Sequence, residues 1–113
     1  TLEWGLTAAP IAFDPPRETP DQVQTADPAT LKVPALKGMP VALVTGETST
    51  FASFAASIVP FLQTAGAQVD HLDLPALGIH GNGHGLLYER NSDESFEVVA
   101  QWLARTVSAP GPA

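Results

Sequence analysis

Apolar positions change their spacing several times along the chain, and each change predicts an element. Val41-Ala42-Leu43-Val44 is a short, wholly apolar run between Pro40 and Gly46, the pattern of a strand buried on both faces of a parallel sheet. Phe51, Phe54, Ala55, Ile58, Phe61 and Leu62 then recur at helical spacing. Thr48 or Ser49 offers an N-cap for that helix, and Gly66 a stop. Pro60 falls inside the stripe and either kinks the helix or marks its true first turn. Gln68 to Leu74 reads as a second strand closed by Pro75, so the two strands are joined by a β-helix-β crossover. Asn91-Ser92-Asp93-Glu94 supplies a cap and acids at the positive end of a last helix. Its buried stripe is expected to be Phe96, Val99, Ala100 and Leu103, with Trp102 beside it.

Residues 1–40 behave differently. They hold seven of the eleven prolines (Pro10, Pro15, Pro16, Pro20, Pro28, Pro34 and Pro40), and each restricts both itself and its predecessor. An extended, irregular segment is expected, with a short helical turn around Thr19 to Val23. Forty residues without strong periodicity are unusual in a compact domain unless they lie over another surface. The organisation is therefore an irregular Pro-rich segment at 1–40 that covers the site, an α/β part at 41–107, and a frayed tail at 108–113.

Two parallel strands and two helices leave one or both sheet edges unpaired, and strands of this buried type need helices on both faces. So small a body does not offset the entropy of ordering the irregular segment. The chain reads as one piece of a larger sheet completed by another polypeptide.

Composition narrows the chemistry. With 113 residues, 44% hydrophobic and 15% charged, the chain falls in the globular range, at the size of one small domain. A net charge of -7 with no basic cluster argues against nucleic acid and anionic membranes as partners, and the longest apolar run is too short to cross a bilayer. The absence of cysteine removes disulfides, thiolate metal sites and thiol nucleophiles, and leaves the compartment open. Thr1-Leu2-Glu3-Trp4 has neither an initiator Met nor a basic, then apolar, leader, which reads as a chain without a targeting peptide that begins at a cleavage or artificial boundary.

Two of the three histidines fall in Gly78-Ile79-His80-Gly81-Asn82-Gly83-His84-Gly85. Glycines on both sides of His84 let a loop approach a partner without Cβ clashes, and a neutral imidazole can shuttle a proton near neutral pH. His80 and His84 would share a face only on a helix, and Gly81, Gly83 and Gly85 argue against one. A metal site with Asp70 and Asp73 is accordingly not expected, nor is any cofactor. His71 falls in a strand pattern and reads as a sheet residue.

The order of strand, His-bearing glycine loop and capped helix resembles the end of the α/β-hydrolase fold. The chain is similar to bacterial and fungal α/β-hydrolase esterases that share a G-(I/V)-H-G-N-(G/S)-H segment, matched here by Gly78 to His84. Trp4 to Pro16 resembles their W-G-(I/L)-T-x-x-P-(I/L)-x-(F/Y)-D-P-P stretch, and Val44-Thr45-Gly46-Glu47 the V-T-G-E after their penultimate strand. The resemblance implies the C-terminal part of an α/β-hydrolase, namely its last two parallel strands and last helices. It also implies that His84 is the general base of a Ser-His-acid triad for carboxylic ester hydrolysis. His80 matches the first histidine of the segment and is expected to be structural.

No G-x-S-x-G occurs in the chain, so the nucleophile elbow is missing. Ser49 stands where many α/β-hydrolases carry the acid of a G-x-x-D turn, and Glu47 reads as a loop or helix-start charge. The esterases resembled place a Glu after the preceding strand, which would lie before Thr1. Serine, acid and oxyanion hole are thus expected on a companion polypeptide, making a heterodimer that acts on a small-molecule ester. Trp4, Phe13, Phe51 and Phe54 are candidates for a pocket wall, though core packing explains each as well. Two rivals stand beside this expectation: a hydrolase-like binding or assembly subunit without catalysis, and an N-terminal nucleophile enzyme using Thr1.

Overall fold

The structure, a computed structural model, describes residues 11–107. Thr1, Trp4 and the rest of the N-terminal motif up to Pro10, and the tail at 108–113, lie outside the described residues. The elements run α1 (Pro20–Gln24), β1 (Pro40–Thr45), α2 (Ala55–Ala65), β2 (Gln68–Asp73) and α3 (Ser92–Thr106), with short 3-10 turns between them. β1 and β2 pair in parallel from Pro40↔Gln68 to Thr45↔Asp73, and α2 makes the crossover. The result is a small α/β unit compatible with part of an α/β-hydrolase.

Local chemistry explains most boundaries. Thr19 and Gln22 form a reciprocal capping box ahead of Pro20, which starts α1. Gly66 ends α2 in the left-handed region at φ 117°, as its lack of Cβ allows. α2 runs through Pro60 instead of beginning there; Pro60 has no N–H for the carbonyl of Ala56, which belongs to an exposed residue.

The start of α2 departs from expectation. A 3-10 turn at Ala52–Phe54 precedes the helix, which has no side-chain cap. Thr48 is turned to the other loop, its N–H donating to Asn82 O at 2.8 Å and its Oγ1 to Gly81 O at 3.5 Å. Ser49 holds only the preceding turn, its Oγ accepting from Phe51 N at 3.1 Å. Asn91 does stand at the N-cap of α3 but caps nothing, because its amide is committed to Asn82.

Helix facing is the second correction. Ala55 and Ala65 are the buried residues of α2, while Phe51, Phe54, Ile58 and Phe61 are exposed. Ala55, Ala56 and Val59 share a cavity with His71, which puts α2 on the His71 face of the sheet. α3 lies on the other face, where Trp102 Nε1 donates to Asp70 Oδ2 at 2.7 Å, since neighbouring strand residues point to opposite sides. Ser95 and Trp102 are its buried positions, and Phe96 is 60% exposed. Several large apolar residues of both helices thus stay exposed beside a sheet only two strands wide. Val41 to Val44 are half-buried, not enclosed.

The Pro-rich segment packs at the far end of α2. Leu31 and Val33 are buried, Val33 N donates to Ala65 O at 3.0 Å, and Gly38 N to Gly66 O at 2.8 Å. Leu72, Leu74, Ile79 and Trp102 complete most of a small core, with Leu74 fully buried. Among the described residues no helix is long and apolar enough to cross a membrane.

Leu74→Ala is expected to destabilise the folded protein by about 2–5 kcal/mol through the cavity it leaves. Trp102→Phe, which removes one hydrogen bond to an exposed carboxylate, should cost about 1 kcal/mol. Denaturant unfolding of both variants checks the order.

Candidate active site

After β2 the chain turns through Leu74–Leu77, passes Gly78 at φ 84°, and anchors the buried Ile79. The next residues meet the segment that follows β1. Gly46 is buried directly against them: a Cβ there would lie 2.5 Å from Asn82 O and closer still to Gly83 O. Only glycine permits that approach. Glu47 follows, and both its oxygens are engaged, Oε2 with His80 Nδ1 at 2.9 Å and Oε1 with Gly81 N at 3.1 Å. A carboxylate only accepts, so His80 Nδ1 carries the proton of that bond.

Asn82 is the buried centre of the loop, 1% exposed. Its Nδ2 donates to Glu89 Oε2 at 2.8 Å and to Asn91 Oδ1 at 2.6 Å, and its Oδ1 accepts from Asn91 Nδ2 at 2.9 Å. Glu89 Oε2 also accepts from Gly83 N at 3.3 Å. Every hydrogen of the buried amide is thereby satisfied. The network ties the loop to the start of α3 one residue before His84.

His84 itself is exposed. Its ring stands edge-to-face on Phe51, centroids 4.8 Å apart at 76°, a favourable aromatic geometry. It borders two mainly apolar cavities. One, of about 120 Å³, is lined by Leu43, Gly46, Ser49, Phe51, Ile58 and Leu86; the other, of about 440 Å³, by Leu86, Leu87, Ser95, Phe96 and Val99. Among the described residues no side chain hydrogen-bonds the His84 ring, and no group of three or more His, Asp or Glu could hold a metal ion.

The histidines therefore separate. His80 is paired with an acid, His84 stands beside apolar walls with no side-chain hydrogen bond among the described residues, and His71 belongs to the sheet. Thr45 Oγ1 spends its only proton on Asp73 Oδ1 at 3.0 Å, so His71 Nε2 donates to that hydroxyl at 2.8 Å. Ser49 shares the smaller cavity with His84 but holds a turn, not a catalytic acid. The partners of Asn82, the close approach of Gly46 and the double engagement of Glu47 went unread in the sequence. An Asn between two glycines, with no periodic element to place it, is the one local hint of a loop amide held from several sides.

The chain is 30% identical over 120 residues to the protein described as "Probable secreted lipase phiG" from Fungal sp. (strain ATCC 74256), a match covering 90% of this chain and 32% of that protein. It thus spans about a third of the length of the curated relative it matches. No family model and no solved structure matches the chain. The likeness supports a lipase- or esterase-like relationship and, with it, hydrolase-type chemistry.

Hydrogen bonds from His80 and then from Gly81 N–H hold the Glu47 carboxyl below the ordinary glutamate range. A depressed carboxylate pKa favours the folded loop above the unfolded value, and that contribution is lost as pH falls through the folded value. Carboxyl ¹³C titration should show Glu47 titrating low, and His80→Ala should raise it. Gly46→Ala should displace the loop, seen as shifted amide resonances at Asn82 and Gly83.

Proposed function

We propose that this chain is the histidine-bearing part of a serine esterase or lipase, completed by a companion polypeptide that carries the nucleophilic serine, the acid and the oxyanion hole. The observation that carries the reading is the placement of His84, exposed between two apolar cavities on a loop fixed by Gly46, Asn82 and Glu89. The likeness to the fungal lipase over nearly the whole chain supports it. So do the half-buried apolar strand β1, at the edge of a sheet of two strands, and the exposed apolar residues of α2 and α3, which a larger sheet with its helices would cover.

In the chemistry this implies, neutral His84 takes the proton of the serine hydroxyl as its oxygen attacks the ester carbonyl. It then gives that proton to the leaving alkoxide, releasing the alcohol and an acyl-serine. Water, deprotonated by the same imidazole, attacks the acyl-serine; the serine oxygen leaves with the proton and the carboxylic acid departs. A free ring beside apolar walls suits this task, since the partner hydroxyl and acid are to approach it from outside the described residues.

Intact-mass analysis of the natural protein should reveal polypeptide beyond these 113 residues. A fluorophosphonate should label a serine on it, and His84→Ala should lower both labelling and ester hydrolysis by about 10⁴-fold or more. Labelling that survives His84→Ala would contradict the role given to His84. An assembly that binds esters but never labels would favour a non-catalytic hydrolase-like subunit.

A further inference from the structure

We infer that Glu47 and His80 form a latch that sets the position of His84, making both positioning residues for the hydrolysis proposed above. The inference rests on that reading of His84.

Glu47 stands two residues beyond the end of β1, so its backbone is fixed by the strand pair. From there its two oxygens reach across the chain to His80 and Gly81. Thr48 adds a backbone bond to Asn82 O, and Gly46 lies in contact with the Asn82 and Gly83 carbonyls. The three residues after β1 thus hold His80 to Gly83, the four residues leading into His84. Gly78 and Gly81 both sit in the left-handed region at φ 84°, which glycine adopts without a Cβ penalty. The Glu47 carboxylate holds the second of these turns directly through the Gly81 N–H.

The pair is well exposed, 63% for the His80 side chain and 44% for Glu47. Exposed ion pairs contribute little to global stability, so the consequence of this one is local geometry. Catalysis is sensitive to such geometry, because an imidazole displaced by an ångström no longer meets the hydroxyl it serves. A 2.9 Å bond at His80 Nδ1 leaves Nε2 unengaged, which is also how a catalytic imidazole is oriented by its acid. The test must therefore separate a latch from a second base.

Asparagine does so. Its amide nitrogen is attached to Cγ, as histidine Nδ1 is, so His80→Asn keeps a donor for Glu47 and removes the proton-transferring nitrogen. In the complete protein containing this chain, the inactivation rate by a fluorophosphonate-biotin probe and the kcat and KM for p-nitrophenyl butyrate are measured. Glu47→Ala and His80→Ala should each lower the labelling rate and kcat about 10- to 100-fold with KM little changed. The double variant should be no worse than either single, and His80→Asn should restore most of the rate. His80 is exposed, so His80→Ala carries the test even where Glu47→Ala fails to fold.

Wild-type rates in His80→Ala would overturn the latch. So would His80→Asn as inactive as His84→Ala, which would make His80 itself the base. Full labelling in His84→Ala would instead remove the reading of His84, whatever the state of Glu47 and His80.

Discussion

The close seating of Gly46 against the carbonyls of Asn82 and Gly83 is the contact on which the site depends. It brings the ends of two parallel strands' following segments together with no room for a side chain between them. Once that contact is made, Glu47 reaches His80 and Gly81, and Thr48 reaches Asn82. A larger residue at position 46 would separate all of these groups at once. The glycine therefore works through what it lacks.

A second constraint acts from the other side of the loop. Asn82 is buried, and an unpaired buried amide is costly, so its position is coupled to Glu89 and Asn91. His84 is the residue immediately beyond these two clamps. Among the described residues its ring contacts Phe51 and borders two mainly apolar cavities. In the proposed reading these two clamps hold the approach to the imidazole that shuttles the proton.

Much of the architecture was legible because its signals are local. Thr19, Pro20 and Gln22 announce α1, Gly66 stops α2, and the apolar run 41–44 bounded by Pro40 and Gly46 marks β1. The facing of the helices was not. Stripes such as Phe51 to Leu62 and Phe96 to Leu103 show which side of a helix is apolar, but not how much sheet exists to cover it. Here Ala55, Ala65, Ser95 and Trp102 are the buried helix positions, while Phe54, Ile58, Phe61 and Phe96 stay exposed. At the site, the resemblance of the loop singled out His84 as a candidate, whereas Glu47 was read as a plain loop charge. Its partners lie 33 and 34 residues away, and no periodicity reports a contact of that range. Asn91 was misjudged for a related reason, since a local cap and a distant amide compete for one side chain and the buried partner prevailed.

The most direct measurement is an experimental structure of the complete protein after reaction with a fluorophosphonate. If His84 serves a serine from beyond these residues, its ring nitrogen will stand about 3 Å from the oxygen of the phosphonylated serine, with His80 still on Glu47. A modified serine lying against His80, or remote from both imidazoles, would contradict that assignment.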